Sequence, residues 1–253
     1  MWRCERLLTI DSTQREALRR LGDTPKQAEG FGLWTTHQTA GIASHGRTWR
    51  DSPEGGGLAV SFAWPEAEEA LPQQAAWPVR ISLMVLETLE SRFAALIGRL
   101  GLKWPNDVMV DNSKLAGVLV SRHRVQERWW LVAGIGLNLG WDRDPDLDRP
   151  VTGLRNLGLD GIDPENLVHK LAAGMAALAQ EDCQMSRWWQ RYARVDRWQG
   201  ETVSVVHPAT GKTIAQGVHC GISEQGQLKL SQQGALIEVG YGEVSLRKVE
   251  SIS

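Results

Sequence analysis

The chain has 253 residues, 42% hydrophobic and 23% charged, with a formal net charge of −2. That length holds one large domain plus a small one; the charge balance leaves no basic excess for a general nucleic-acid binder, and no apolar run approaches the roughly 20 residues of a membrane span. The first residues lack the apolar core of a signal peptide, and Cys4, Cys183 and Cys220 are scattered without metal-ligand spacing, which fits free thiols in a reducing cytoplasm.

Asp11, Ser12 and Thr13 are helix N-cap types and predict a helix over 14–21, closed by Gly22. Residues 32–36 read as a strand. It delivers a polar loop, His37 to Trp49, framed by Gly41 and Gly46, and glycines at both ends let a backbone wrap closely round a small ligand. Residues 57–64 are a strand ended by Pro65, and residues 65–76, acidic and Ala-rich, an exposed connection. Apolar residues at 79, 83, 86, 89, 93, 97 and 100 recur at three-to-four spacing and predict one long core-facing helix from Val79 to Leu100.

The centre of the chain carries the densest chemistry. Residues 102–110 and 114–120 read as two strands around the turn formers Asp111, Asn112 and Ser113. Lys103, Asn106 and Asp107 interrupt the first strand and Pro105 removes a ladder donor, so this strand is expected to be bent or to lie at an edge. Two lysines, an amide and a carboxylate on supported backbone suit an anionic ligand, with Asn106 and Asp107 available to a ribose or a metal. On chemistry alone, a solvated hairpin with ordinary surface charges fits equally well.

Residues 129–139 form a further strand ending in Gly134-Ile135-Gly136-Leu137-Asn138, whose glycines mark a close backbone approach or a bulge. A charged loop follows over 142–149. Asp163-Pro164 starts a helix that runs to about Gln180, and helical texture returns over 184–193. From Asp196 short β runs at 202–206, 213–221, 227–231, 235–239 and 243–248 predict a small all-β barrel. The expected units are 1–195 and 196–253.

Lys103-Trp104-Pro105-Asn106-Asp107 followed by Lys114-Leu115-Ala116-Gly117-Val118-Leu119 resembles the central signature of the biotin protein ligases. Four other segments match that family in the same order: Ile10-Asp11-Ser12-Thr13-Gln14, Thr36 to Gly41, Gly134 to Asn138, and Gly242 to Arg247. The resemblance covers nearly the whole chain. It implies an α+β fold, a mixed β-sheet with helices of the class II synthetase-like biotin/lipoate ligase type, plus a small C-terminal SH3-like barrel. It implies a cytoplasmic ligase that uses ATP and Mg²⁺ to convert biotin to biotinyl-5′-AMP. The biotin then passes to a lysine of the biotin carboxyl carrier protein of acetyl-CoA carboxylase. A homodimer is compatible with this reading; nucleic acid and membrane are not expected partners, since the chain starts directly in the catalytic unit without a helix-turn-helix domain.

Carried over residue by residue, the resemblance assigns biotin to Ser12, Thr13, Gln14, Gln38, Gly41, Ile42, Ala43, Ser44, Lys114 and Gly117. It assigns ATP and the adenylate to Arg47, Trp49, Lys103, Asn106, Asp107, Lys114 and Asn138, with Mg²⁺ on Asp107 and Asn138. Lys114, Lys103 and Arg47 would offset the charge that accumulates on carboxylate and α-phosphate, and Asp107 would help deprotonate the carrier lysine. Two departures stand out. The loop reads Gly41-Ile42-Ala43-Ser44-His45-Gly46-Arg47, so Ile42 and Ser44 replace two of the family's arginines, and Val151 stands where its adenine-stacking aromatic is expected. Two other readings remain open: a lipoate- or octanoate-transferring relative of the same fold, and a biotin-sensing binder that has lost catalysis. The presence of Lys103, Lys114 and Asp107 speaks for an enzyme.

Overall fold

The structure, a computed structural model, describes residues 2–23, 30–50, 55–66, 76–142, 150–181, 186–240 and 244–249. Its elements are β1 (Arg3–Arg6), α1 (Thr13–Asp23), β2 (Phe31–Thr35), β3 (Gly57–Glu66), α2 (Trp77–Arg92), β4 (Leu100–Lys103), β5 (Asp107–Val110), β6 (Ser113–Val125) and β7 (Arg128–Asn138). They continue with α3 (Pro164–Gln180), α4 (Trp188–Ala193), β8 (Thr202–Val206), β9 (Thr213–Ile222), β10 (Leu228–Gln232), β11 (Ala235–Val239) and β12 (Ser245–Lys248).

The first seven strands form one sheet in the order β1-β2-β3-β7-β6-β5-β4. β1 runs parallel to β2 and every other pair is antiparallel, so the sheet is mixed. Alternation along the strands divides its two faces. Val60 and Phe62 of β3 and Leu131, Ala133 and Ile135 of β7 join the large apolar cluster under α2 and α3. Ala63, Trp130 and Val132 instead meet Ala17 and Leu21 of α1 on the opposite face. α3 starts as expected at Pro164, where the Asp163 carboxylate accepts the amides of Glu165 and Asn166.

Several sequence expectations change. The bent strand is two strands: β4 ends at Lys103, Trp104-Pro105-Asn106 makes a turn with a cis Trp104–Pro105 bond, and β5 begins at Asp107. β4 is indeed the sheet's edge. The helix expected to reach Leu100 stops at Arg92, and Phe93 leaves it with φ −129° and ψ 95°. The apolar spacing continues because a 3-10 turn over Ala94–Leu96 buries Phe93 and Leu96 in the same core, then delivers Leu100 to β4. Ile97, the position between Phe93 and Leu100 in that spacing, is exposed, so beyond Phe93 the interval marks neither a helix nor a continuous buried face. β3 passes through Pro65 to Glu66 instead of ending there. α4 begins at Trp188, later than the helical texture suggested, and residues 67–75, 143–149, 182–185 and 241–243 of the expected loops and strands lie outside the described residues.

The C-terminal strands form an antiparallel sheet in the order β11-β10-β9-β8-β12. Among the described residues its edge strands β11 and β12 do not pair with each other, so the expected barrel is an open sheet. It packs against the β4 edge. The Leu102 amide donates to Val195 O at 2.7 Å, the Arg197 amide to Leu102 O at 3.0 Å, and the buried Trp104 indole to Gly226 O at 2.9 Å. Val203, Val205, Leu228 and Leu246 belong to the same apolar cluster as α2 and α3.

Candidate active site

The site lies on the α1 face of the large sheet and is built from four pieces of backbone. The first is the start of α1. The segment Ile10–Asp11 runs beside His37–Ala40, with the Thr39 amide bonded to Ile10 O and the Ala40 amide to Asp11 O, both at 2.9 Å. This brings Gln38 to the helix start, where its Oε1 accepts the Thr13 amide at 3.0 Å and lies 3.4 Å from the Thr13 hydroxyl. Ser12 accepts from the Arg15 amide at 3.5 Å, a weak cap, and is nearly fully buried.

The second piece is the pair β3–β7. Ser61 of β3 donates to Thr13 Oγ1 at 2.8 Å and lies 3.3 Å from Gln14 Oε1, while Gln14 Nε2 donates to Ser121 Oγ and Val132 O, each at 3.0 Å. A buried polar cluster must satisfy itself internally or with a ligand, and this one is chained through hydroxyls and amides that can do either. The register of β7 against β3 and β6 is unbroken through Gly134 and Gly136, so these glycines mark no bulge. They mark close approach. A Cβ on Gly134 would lie 2.7 Å from Gln14 Oε1, and one on Gly136 would lie 2.5 Å from the Trp49 ring.

The third piece is the loop between β2 and β3. It closes as a miniature hairpin: Trp49 N bonds Gly41 O at 2.9 Å, Ala43 N bonds Arg47 O at 2.8 Å, and a 3-10 turn spans Ser44–Gly46. Gly46 holds φ +69°, a left-handed value that suits glycine. Gly41 has no room for a side chain, since a Cβ would lie 2.8 Å from Gln38 Nε2 and from Trp49 O. Trp49 thereby lies across Gly117 and Gly136.

The fourth piece is β5–β6. Asp107 pairs with Gly117 and Val108 with Ala116, but Met109 pairs with Lys114, so β6 carries an extra residue at Leu115. Strict alternation would put Lys114 and Gly117 on opposite faces; the bulge re-aims Lys114 onto the face of Gly117 and Asp107. There the Lys114 ammonium pairs with the Asp107 carboxylate, both largely buried, and lies 5.5 Å from the Trp49 ring centroid. Asn106 is clamped to β6 by two bonds, Nδ2 to Val118 O at 2.7 Å and its carbonyl to Val118 N at 3.0 Å.

Two cavities share this framework. One is lined at its polar end by Ser12, Thr13, Gln14, Gln38 and Ser61, and along its sides by Ile42, Ala43, Ser44, Asn106, Gly117 and Gly136. The second, of about 490 Å³, is lined by Arg50, Asn138, Trp141 and Val151, among others. Ala43, Arg47, Trp49 and Lys114 line both.

Of the residues expected to meet ligands, Gly41 supports the loop from behind. Asp107 lines neither cavity and stands behind Lys114. Lys103 lines neither cavity and sits with its ammonium 4.6 Å from the ring centroid of Trp198, at the junction with the small sheet. Asn138 Nδ2 donates to Thr152 O at 3.1 Å and Lys114 O at 3.4 Å, which ties two backbone segments together. Asp107, one of the two residues expected at Mg²⁺, is engaged by Lys114, and the described residues contain no group of three His, Cys, Asp or Glu that could hold a metal ion. Ser61 and Trp141 are the residues that sequence reading missed. Ser61 is the lone hydroxyl in an otherwise apolar strand, a usable signal; nothing in the sequence separates Trp141 from the eleven other tryptophans.

The sequence model of the Biotin/lipoate A/B protein ligase family matches residues 8–138, which carry all four pieces of the site. The chain belongs to this family. Relatives within reach of sequence comparison include the bifunctional ligase/repressor BirA of Salmonella typhimurium, 29% identical over 96% of this chain and 74% of its own length. The biotin–[acetyl-CoA-carboxylase] ligase of Mycobacterium tuberculosis is 28% identical over 92% of this chain and 85% of its own. Among solved structures, the biotin protein ligase of Aquifex aeolicus in complex with biotin and ATP superimposes with a TM-score of 0.76 and 25% identity, covering 98% of this chain and 100% of that one. The polar-ended cavity and the aromatic, cation-lined cavity thus share a wall that includes Lys114.

Proposed function

We propose that this chain is a biotin protein ligase, which activates biotin with ATP and passes it to a lysine of the biotin carrier of acetyl-CoA carboxylase. The observation that carries this reading is the shared wall: Lys114, Arg47 and Trp49 border both cavities. A carboxylate reaching from one and an α-phosphate from the other meet at the Lys114 ammonium. A carboxylate oxygen attacks the α-phosphorus, the bond from that phosphorus to the bridging oxygen breaks and pyrophosphate leaves; negative charge concentrates in this step, and a preorganised, mostly buried cation held by Asp107 stabilises it without reorganising. Arg47 adds a second charge from the loop. The resulting acyl-phosphate is shielded from water by Trp49 and the loop hairpin, and the carrier's amine then attacks its carbonyl with AMP as leaving group.

The polar end selects biotin over lipoate or octanoate. Thr13, Gln14, Gln38 and Ser61 offer donors and acceptors to a ureido ring, whereas a dithiolane or an alkyl end has none to give in return. Mg²⁺ would enter with the ATP substrate, on its phosphates. Among the described residues no helix is long and apolar enough to cross a membrane, in keeping with a reaction between dissolved substrates.

The test is exchange of labelled pyrophosphate into ATP, run separately with biotin, lipoate and octanoate. Exchange with biotin alone is the expected result. Exchange with lipoate or octanoate but not biotin would transfer the chain to the lipoate side of its family.

A further inference from the structure

Trp141 lines the second cavity, on a segment that continues past the end of β7. Its backbone is held by one side chain. The Trp141 amide donates to Asn156 Oδ1 at 2.8 Å, and Asn156 Nδ2 donates to Trp141 O at 3.0 Å. The same Oδ1 accepts the Gly153 amide at 3.1 Å. A carboxamide has both a donor and an acceptor at this reach, so it imitates a neighbouring strand for a single residue; aspartate would lack the donor and serine the span.

The clamp is anchored in the core. Leu154 is fully buried, its amide bonds Asn138 O at 3.1 Å, and the Arg155 amide bonds Leu139 O at 2.8 Å. Gly153 lies so close to Gly140 that a Cβ would sit 2.6 Å from its Cα. Residues 152–156 therefore run as a fixed rail beside 138–141, and Asn156 closes its far end. Val151, also lining the cavity, is aliphatic, so the aromatic surface there comes from Trp49 and Trp141.

We infer that Asn156 is a positioning residue for the nucleotide: it fixes Trp141 as a platform on which the base stacks. This rests on the assignment of the second cavity to ATP. The residue itself touches no substrate, so its effect must pass through Trp141.

The experiment measures KM for ATP and for biotin separately, by pyrophosphate exchange, in Asn156→Ala, Trp141→Ala, Trp141→Phe and the double Asn156→Ala/Trp141→Ala. Loss of a stacking surface is expected to raise KM for ATP on the order of tenfold in Trp141→Ala, with Trp141→Phe near wild type because an aromatic face remains. Asn156→Ala is expected to raise it about three- to tenfold, the scale of lost neutral hydrogen bonds. KM for biotin stays constant throughout. The double variant should match Trp141→Ala alone, since the clamp has nothing left to position.

Additive effects in the double variant, or KM for biotin and ATP rising together in Asn156→Ala, would overturn the inference, as would an unchanged KM for ATP. The two levels separate cleanly. If the wild-type protein is not saturated by ATP, the nucleotide assignment fails with everything built on it. If the wild type saturates and Trp141→Ala saturates identically, only the platform and its clamp fail.

Discussion

Lys114 shows what a single residue owes to its strand. Its sequence neighbours mark it as part of a signature, but the position of its ammonium depends on one extra residue, Leu115, in the ladder with β5. A residue-level reading of alternation puts Lys114 on the wrong face, and only the register shift corrects it. Lys103 is the converse case. It shares the signature, yet its ammonium stands over Trp198 at the small sheet, because the turn at Trp104–Asn106 separates β4 from β5 and sequence proximity to Asp107 does not place it at a cavity. Asp11 offers a titration that tests the rim of the site. Its carboxyl is held down to about 2, first by the Arg19 guanidinium, with the Ser12 amide adding to it. A depressed carboxylate favours the fold above its unfolded value and loses that contribution as pH falls through its folded value. The pair is well exposed, so the effect on stability is small and the titration itself is the better readout. Arg19→Ala should raise the Asp11 value toward 3.8, followed by NMR of the carboxyl carbon; an unmoved titration would show that the guanidinium is not the cause.

At the scale of elements, the strands were legible because their apolar alternation and turn residues agree with the sheet that forms. The end of α2 was not. Apolar residues at 93, 97 and 100 kept the helical interval while the backbone changed to a 3-10 turn and then a strand; the core takes Phe93 and Leu100 from this path, and Ile97 stands exposed. The loop between β2 and β3 was legible in its frame, Gly41 and Gly46, but not in its hairpin pairing, which depends on Trp49 settling over two glycines from distant strands. That loop carries Ile42 and Ser44 where the motif it resembles would have arginines. An arginine can hold a loop to an anionic ligand by charge-assisted hydrogen bonds worth roughly 1.5–3 kcal/mol before solvent compensation; Ile42 has none to make. The adenylate is therefore expected to leave this enzyme readily, and Ser44→Arg to slow its release several-fold, measured by stopped-flow tryptophan fluorescence on a preformed complex. An equal release rate in the two proteins would mean that the hairpin backbone and Arg47 already hold the loop shut.

Across the whole molecule, one apolar cluster contains residues from both sides of the boundary expected near residue 196. Asp196 and His219 sit at the junction with both side chains fully buried, their Oδ2 and Nε2 atoms 2.8 Å apart though off the line of the N–H bond. His219 Nδ1 accepts the Gly221 amide, and burial, with the Asp196 charge adding to it, pushes the Tyr192 phenol well above its ordinary value. None of this was visible in sequence, because the three residues come from α4, the connection and β9. Removing the imidazole leaves the Gly221 amide without its acceptor and a gap in a buried junction, so His219→Ala is expected to destabilise by about 1–3 kcal/mol, read from a denaturant midpoint. A loss under about 0.5 kcal/mol, the scale of an ordinary surface substitution, would show that the junction does not depend on the pair.

The central claim is that two substrates meet at Lys114. It is tested most directly by comparing wild type and Lys114→Ala in biotin-dependent pyrophosphate exchange, with biotin binding followed in parallel by calorimetry. Because the residues proposed to bind the biotin head, Thr13, Gln14, Gln38 and Ser61, are untouched, the variant should still bind biotin. Its exchange rate should fall on the order of a hundredfold or more, the effect of removing one preorganised donor from a charged transition state. Exchange near the wild-type rate, with biotin bound normally, would contradict the account.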